Sequence, residues 1–164
     1  MIISILCVDK NYGIGKNNDL LFHLKKDMEF FREKTKNHMV FMGENTFLSF
    51  PGHAPLKNRV NVVLSQDVTH NYEGCVNIHN FDEFIKLLKE KGKTEDVFVI
   101  GGASIYKQTL PYVDEVLLTK VDADGKATVF FPNLDEDPSF MCVDKGTPLE
   151  DEGYTIRFTT YKRK

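Results

Sequence analysis

"VFVIGGASIY", residues 97–106, holds a strand, a tight turn and a helix start within ten residues. The apolar run 97–100 is continuous, as a strand covered on both faces requires. Gly101 and Gly102 permit close backbone approach and positive φ. Helical spacing begins near 103 and stops before Pro111, which cannot continue a helix. Amides that open such a helix point back at the turn and favour an anion there. A strand that feeds a helix through a glycine turn is a unit of a parallel α/β sheet.

Two other stretches repeat the design. "MVFMGENTF" (39–47) is a strand, then Gly43, then Asn45 or Thr46 as a helix N-cap. "VVLSQD" (62–67) ends a strand in the hydroxyl of Ser65. Three such strand ends in one chain suggest a ligand with several phosphates lying across the carboxyl edge of the sheet. Only Gly13 and Gly15 have G-x-G spacing, so the complete G-x-G-x-x-G fingerprint of the usual dinucleotide βαβ unit is absent.

Working outward, further apolar runs at 2–8, 39–42 and 60–64 read as buried strands, with a weaker one at 75–78. Helical patterns at 25–35, 81–91 and 103–110 alternate with them. In the second, Phe81, Phe84, Ile85 and Leu88 share a face. The last third has strands at 115–122, 140–144 and 154–162 with no helix between them, and the final one alternates with period two. Those are antiparallel additions. The expectation is a single α/β domain over residues 1–164. It has a mostly parallel central sheet of about eight strands, an antiparallel C-terminal edge and helices on both faces.

A chain of 164 residues with 41% hydrophobic and 27% charged residues is long enough for one proper core. A net charge of −3 gives no footprint for nucleic acid or an anionic membrane. No apolar run approaches the roughly 18 residues a bilayer demands. The start, "MIISILCVDKNYG", lacks a basic n-region and a cleavage site, so a cytoplasmic location is expected. Cys7, Cys75 and Cys142 are odd in number and far apart, which reads as reduced thiols. The five histidines have no ligand spacing, so no metal is expected.

The stretch "LLFHLKKDMEFF" (20–31) poses a question of chemistry. Leu24, Met28 and Phe31 form one stripe of a helix, and Asp27 lies on that stripe. An unpaired carboxylate on a buried face is costly. Either the stripe frays there or the acid has a task. The preceding stretch 11–22 is polar and bears glycines. It reads equally as a surface connection or as a lid over a site.

These pieces together resemble dihydrofolate reductase. The matching segments are "GIGKNNDLLFHLKKDM" (13–28), "VFMGENTFLSF" (40–50), "PLKNRVNVVLS" (55–65), "VIGGASIY" (99–106), "LLTKVDAD" (117–124) and "FFP" (130–132). They occur in the family's order along nearly the whole chain. The resemblance implies reduction of dihydrofolate to tetrahydrofolate, by hydride transfer from NADPH to pterin C6 and protonation of N5. It implies Asp27, Phe22 and Thr119 as the catalytic set, with Asp27 holding the 2-amino and N3 edge of the pterin and Thr119 supporting it. Ile5, Leu20, Phe22, Met28, Phe31, Phe50 and Leu56 would wall the pterin and aminobenzoyl groups. Arg59 would pair with the α-carboxylate of the glutamate tail. Ile100 and Tyr106 would lie beside pterin and nicotinamide.

On the cofactor side the resemblance implies the Cys7 backbone, Ile14, Gly15, Asn18, Gly43, Glu44, Asn45, Thr46, Leu64, Ser65, Gln66, Gly101, Gly102, Ala103, Ser104 and Ile105. It implies dihydrofolate and a nicotinamide dinucleotide as ligands, and the compact chain suggests a monomer by default. Four positions depart from the family's usual pattern. Leu21-Phe22 stands for Pro-Trp, Lys25 for Pro, and Asn58 for a Gly, although Asn also tolerates the left-handed region. Glu44 stands where a base normally faces the 2′-phosphate of NADP. An exposed acid there repels that phosphate by roughly 1 kcal/mol and gives NADH a better chance.

Two other classes carry some of these features. The reductase domain of riboflavin biosynthesis shares the strand–Gly–Gly turn, but it has no use for the Asp27–Arg59 pair. A non-catalytic nucleotide-binding module would keep Gly101 and Thr46 without needing an acid on the helix stripe.

Overall fold

The computed structural model describes residues 1–17 and 19–164. The strands are β1 (Ile2–Val8), β2 (Gly13–Gly15), β3 (Met39–Gly43), β4 (Val60–Leu64), β5 (Cys75–Ile78), β6 (Val97–Gly101), β7 (Glu115–Val121), β8 (Val129–Phe130), β9 (Phe140–Asp144), β10 (Leu149–Asp151) and β11 (Tyr154–Arg163). The helices are α1 (Lys25–Thr35), α2 (Glu44–Leu48), α3 (Phe81–Gly92) and α4 (Ala103–Thr109). Single 3₁₀ turns follow α2 and α4 at Pro51–His53 and Leu110–Tyr112.

The main sheet runs in the order β10-β11-β7-β1-β6-β3-β4-β5. From β7 to β5 all neighbours are parallel, and β11 lies antiparallel on β7. β9 and β10 both pair with β11, at opposite ends, so nine strands fill eight positions. This is the α/β architecture read from the sequence. Each run of apolar strand residues splits by alternation between two faces. Ile2, Phe41, Val97 and Val99 join one core with Phe84 and Leu88 of α3 and with Ile105 and Tyr106 of α4. Ile3, Ile5, Val40, Met42, Phe98 and Ile100 join the other with Phe47 of α2 and Phe31 of α1. No helix among the described residues is long and apolar enough to cross a membrane.

Three expectations need correction. The helix after Gly43 begins at Glu44, and Gly43 itself is the N-cap, rather than Asn45 or Thr46. The inner stripe of α1 does not include Met28, which is 52% exposed. Leu24 is buried but stands before the helix, and the one buried residue within α1 is Thr35. The stretch after β1 is also more than a plain connection. β2 pairs with β8 to make a two-stranded sheet of its own, and a bridge between Lys16 and Asp19 turns the chain beyond it.

The outer edge needs one special glycine. At Gly146, φ is +68°, and a Cβ there would stand 2.3 Å from the carbonyl oxygen of Phe158. The loop between β9 and β10 therefore lies directly on the middle of β11.

Two asparagines brace the turns that enter parallel strands. The buried Asn61 of β4 accepts from Leu56 N at 3.0 Å and donates to the carbonyls of Leu56 and Arg59 at 3.0 and 3.2 Å. Asn77 of β5 makes the same three bonds to Tyr72 and Cys75 at 2.9, 3.0 and 3.2 Å. Each side chain thus replaces backbone partners that the turn cannot supply. Replacing Asn61 by Ala removes three bonds and strands polar groups of the turn. The expected loss is roughly 2–3 kcal/mol of unfolding free energy, measured by urea denaturation with an unchanged m-value.

Candidate active site

Asp27 projects from the first turn of α1 toward the seam between β1 and β7. Parallel register sets Cys7 beside Thr119, and antiparallel register sets Phe158 across from Thr119. The hydroxyl of the buried Thr119 donates to Asp27 Oδ1 at 2.7 Å. Cys7, Phe22 and Phe158 pack around the small core of Leu24, Val121 and Ile156 that lies under this seam. The Phe22 ring meets Tyr154 edge-on, with centroids 4.9 Å apart.

Burial raises the proton affinity of Asp27 above the ordinary carboxylate range. The Thr119 hydrogen bond opposes this, the nearby Asp151 charge adds to it, and the Cys7 thiol opposes it again. The Cys7 thiol is in turn pushed up, by burial first and then by Asp27.

The first turn of α1 has an unusual cap. Leu24 occupies the N-cap position and has no side chain able to cap. Asp151 of β10 does so instead, from 125 positions away in the chain. Its Oδ2 accepts from the amides of Lys26 at 2.9 Å and Asp27 at 3.2 Å.

Most of the apolar residues proposed to surround a pterin fall in one neighbourhood. Ile5 and Ile100 are buried on the face that Phe31, Phe50 and Leu56 flank. Leu20 and Met28 are apart from that core, at 61% and 52% exposure, on the segment leading to α1 and on α1 itself. Tyr106 is buried on the other face, where its hydroxyl donates to Ile5 O at 2.8 Å and burial pushes its phenol far up.

Arg59 sits at the far end of α1. It donates to Thr35 Oγ1 at 2.9 Å, Lys57 O at 3.1 Å and Arg32 O at 3.5 Å. It forms no ion pair among the described residues. Asn58 before it takes φ +59°, as its replacement of a glycine requires.

The three glycine- or hydroxyl-bearing strand ends lie side by side. Gly43 of β3 is in register with Leu64 of β4, and Met42 with Gly101 of β6. A Cβ on Gly43 would lie 3.1 Å from Ile105, and one on Gly102 would lie 3.5 Å from Thr46 Oγ1. Ser65 is buried next to this edge, while Asn45, Gln66 and Ser104 are exposed and Ala103 is half-buried. Neither α2 nor α4 has a side-chain cap, so their first amides face the common edge without a side-chain partner. Ile14 packs at the border of the α3–α4 core, and Gly15 is buried in β2. Asn18 lies outside the described residues.

Glu44 opens α2 in an unexpected setting. Its Oε2 accepts from Tyr72 OH at 2.5 Å and meets His70 Nδ1 at 2.7 Å. The Tyr72 hydrogen bond is the main cause that holds this carboxyl below its usual range.

Two contributors escaped the sequence reading. Asp151 leaves no local mark, because its partners are distant in the chain. Asp9 accepts from the amides of Asn11 at 2.8 Å, Gly13 at 2.7 Å and Gly125 at 3.0 Å, and so ties the entry of β2 to the loop after β7. The Asp-x-x-x-Gly spacing of 9–13 was its one local signal. A separate depression of about 380 Å³, bounded by residues 8–12, Lys120, Asn133 and Asp135, contains none of the expected site residues.

A parallel α/β sheet with an open row of helix-opening amides at its carboxyl edge, and a half-buried acid on the adjoining helix, is the arrangement expected of a dinucleotide-dependent enzyme. The family model for dihydrofolate reductase matches residues 1–163. The dihydrofolate reductase of Bacillus subtilis strain 168 is 33% identical across 100% of this chain and 95% of its own length. That of Sus scrofa is 30% identical over 97% and 96% respectively. A solved structure of dihydrofolate reductase from Enterococcus faecalis, complexed with NADP(H) and RAB-propyl, superposes with a TM-score of 0.85. It is 32% identical and covers 99% of this chain and 96% of its own. The chain belongs to the dihydrofolate reductase family. It is accordingly an NADPH-dependent enzyme that reduces dihydrofolate to tetrahydrofolate. The match along the full chain sets aside the riboflavin-type reductase and the non-catalytic binding module.

The raised proton affinity of Asp27 has a consequence for stability. The folded carboxyl holds its proton more tightly than the unfolded one does. Stability associated with it is therefore complete below the ordinary carboxylate value and declines as pH rises through the folded value. Asp27→Asn removes that decline. The variant is expected to melt higher than the parent at pH 7, with the difference vanishing toward pH 4 and below, as measured by calorimetry across pH.

Proposed function

We propose that Asp27 supports protonation of pterin N5 from a distance while it orients the ring for reduction at C6. NADPH, when bound, supplies the hydride from nicotinamide C4. Asp27 accepts paired hydrogen bonds from the 2-amino and N3 edge of the pterin, a planar pair of donors that a carboxylate matches. A group that grips that edge cannot also reach N5, so a water molecule delivers the proton. The hydride adds to C6 of the C6=N5 bond and the water's proton completes N5. The carboxylate favours positive charge on the ring as it forms. The observation that carries this reading is Asp27 itself, a carboxylate with raised proton affinity and a Thr119 hydroxyl on one oxygen.

The other proposed roles follow from position. Ile5, Phe22, Phe31, Phe50, Leu56 and Ile100 bound the pterin and aminobenzoyl rings, and Leu20 and Met28 close over them from the rim. Arg59, already oriented by Thr35, offers its remaining N–H groups to the tail carboxylate. The uncapped amides of α2 and α4, with Thr46 and Ser65, suit the phosphates of the dinucleotide. Gly101 and Gly102 let the cofactor approach the sheet edge. One domain spanning 1–164 carries the whole activity, as a monomer in the cytoplasm.

The test is dihydrofolate-dependent oxidation of NADPH by native protein and Asp27→Asn. The variant is expected to lose about a hundredfold or more in rate at neutral pH. The deficit should narrow as acid in solution protonates N5 directly. A variant that tracks the parent at acidic and neutral pH refutes the mechanism.

Glu44 bears on the choice between cofactors. Its charge stands where the 2′-phosphate is expected, and Tyr72 and His70 hold it there. Glu44→Arg is expected to tighten NADPH by roughly fivefold or more and NADH much less, as read by fluorescence titration. Equal effects on the two cofactors would refute the repulsion.

A further inference from the structure

We propose that Asp151 is a positioning residue for the reaction, acting through Asp27: its buried carboxylate fixes the first turn of α1 and thereby the point from which Asp27 enters the cleft. The inference rests on the role given to Asp27 above.

Three observations carry it. Asp151 Oδ2 accepts from the amide of Asp27 itself and from that of Lys26 before it. The residue is only 3% exposed. The helix has no cap of its own, since Leu24 provides none. The Asp151 carboxylate is therefore the fixed reference for the turn that presents Asp27. The adjoining Lys26 ammonium donates to Glu150 O, which draws the same turn onto β10 a second time.

The choice of residue is informative. Asn or Ser would cap this helix about as well. A buried carboxylate carries a desolvation cost that neither neutral residue has. What an acid adds beyond capping is a negative charge beside Asp27. The groups facing Asp27 from other elements are Cys7 on β1, Tyr106 on α4, Thr119 on β7 and Asp151 on β10. Thr119 and Cys7 favour its ionised form, and Asp151 disfavours it. Asp151 thus holds Asp27 in place and also makes its proton harder to lose.

The experiment follows the Asp27 carboxyl directly by carbon-13 NMR titration, alongside pH–rate profiles with NADPH and dihydrofolate. Asp151→Asn retains the cap and removes the charge. It is expected to keep the parent's melting temperature, to move the Asp27 midpoint to lower pH, and to carry the pH–rate profile with it. Asp151→Ala loses the cap as well and should raise the KM for dihydrofolate by about five- to tenfold. In an Asp27→Asn background, Asp151→Asn should leave the pH–rate profile unchanged. A KM for dihydrofolate that stays at the parent's value in Asp151→Ala overturns the inference, and an Asp27 midpoint that does not move in Asp151→Asn overturns the effect given to its charge. A midpoint that moves while the pH–rate profile stays fixed overturns the role proposed for Asp27, and leaves the hold of Asp151 on it standing.

Discussion

A carboxylate half out of water beside a strand hydroxyl is the constraint around which the molecule is arranged. The Thr119–Asp27 bond spans 92 positions of chain and ties α1 to β7. It forms only if three things hold together. β7 must lie parallel beside β1, β11 must close the seam from the other side, and α1 must begin close to β10. The parallel half of the sheet builds the edge proposed for the cofactor, and Thr119 of β7 with Asp151 of β10 holds the turn that carries the acid. Asp27 lies where the two meet. A polar group is tolerated there because a hydroxyl donor satisfies it.

The sequence was most readable where a signal is local. Eight of the nine main-sheet strands were read from the sequence, five of them as short apolar runs, and α1 and α3 lie within a residue of their periodic patterns. The row formed by Gly43, Ser65 and Gly101 was legible for the same reason, since each strand end carries its own glycine or hydroxyl. The start of the five-residue α2 was misplaced, because the helix is too short to show a period and takes Gly43 as its cap. Met28 misled because the side of α1 that looks inward is narrow: Phe30 and Phe31 pack against the core while Met28 stays exposed. Asp151 and Asn61 were invisible for a different reason. Their chemistry depends on which backbone groups the fold brings to them, and composition does not encode that. Asn61 and Asn77 make the same bonds at offsets of five and two residues, yet "LKNRVN" and "YEGCVN" share only a final Val-Asn.

Glu44 shows how a local departure from a family pattern can be absorbed. Reversing a charge at an anion site would leave an unpaired acid. Here Tyr72 and His70 take it up, and Ser65 stands close by. The ring of Tyr72 also meets that of Phe47 of α2 at a tilt, with ring centroids 4.7 Å apart. The acid is therefore part of the packing that sets α2 against β4 and β5. The effect proposed for it on the phosphate and its place beside the helix would be two uses of a single side chain.

The split outer edge of the sheet has a bearing on solubility. β11 is ten residues long, but neither β9 nor β10 covers it fully, and Gly146 lies against its centre. The opposite border, β5, has four residues. Neither side therefore offers a long straight ladder of free amides and carbonyls onto which a foreign strand could zip. A newly made or partly opened copy finds little template here for growth into a fibril. A crossing loop and a shortened border thus guard a sheet whose interior strands, rich in Val, Ile and Phe, would otherwise be strongly prone to stack.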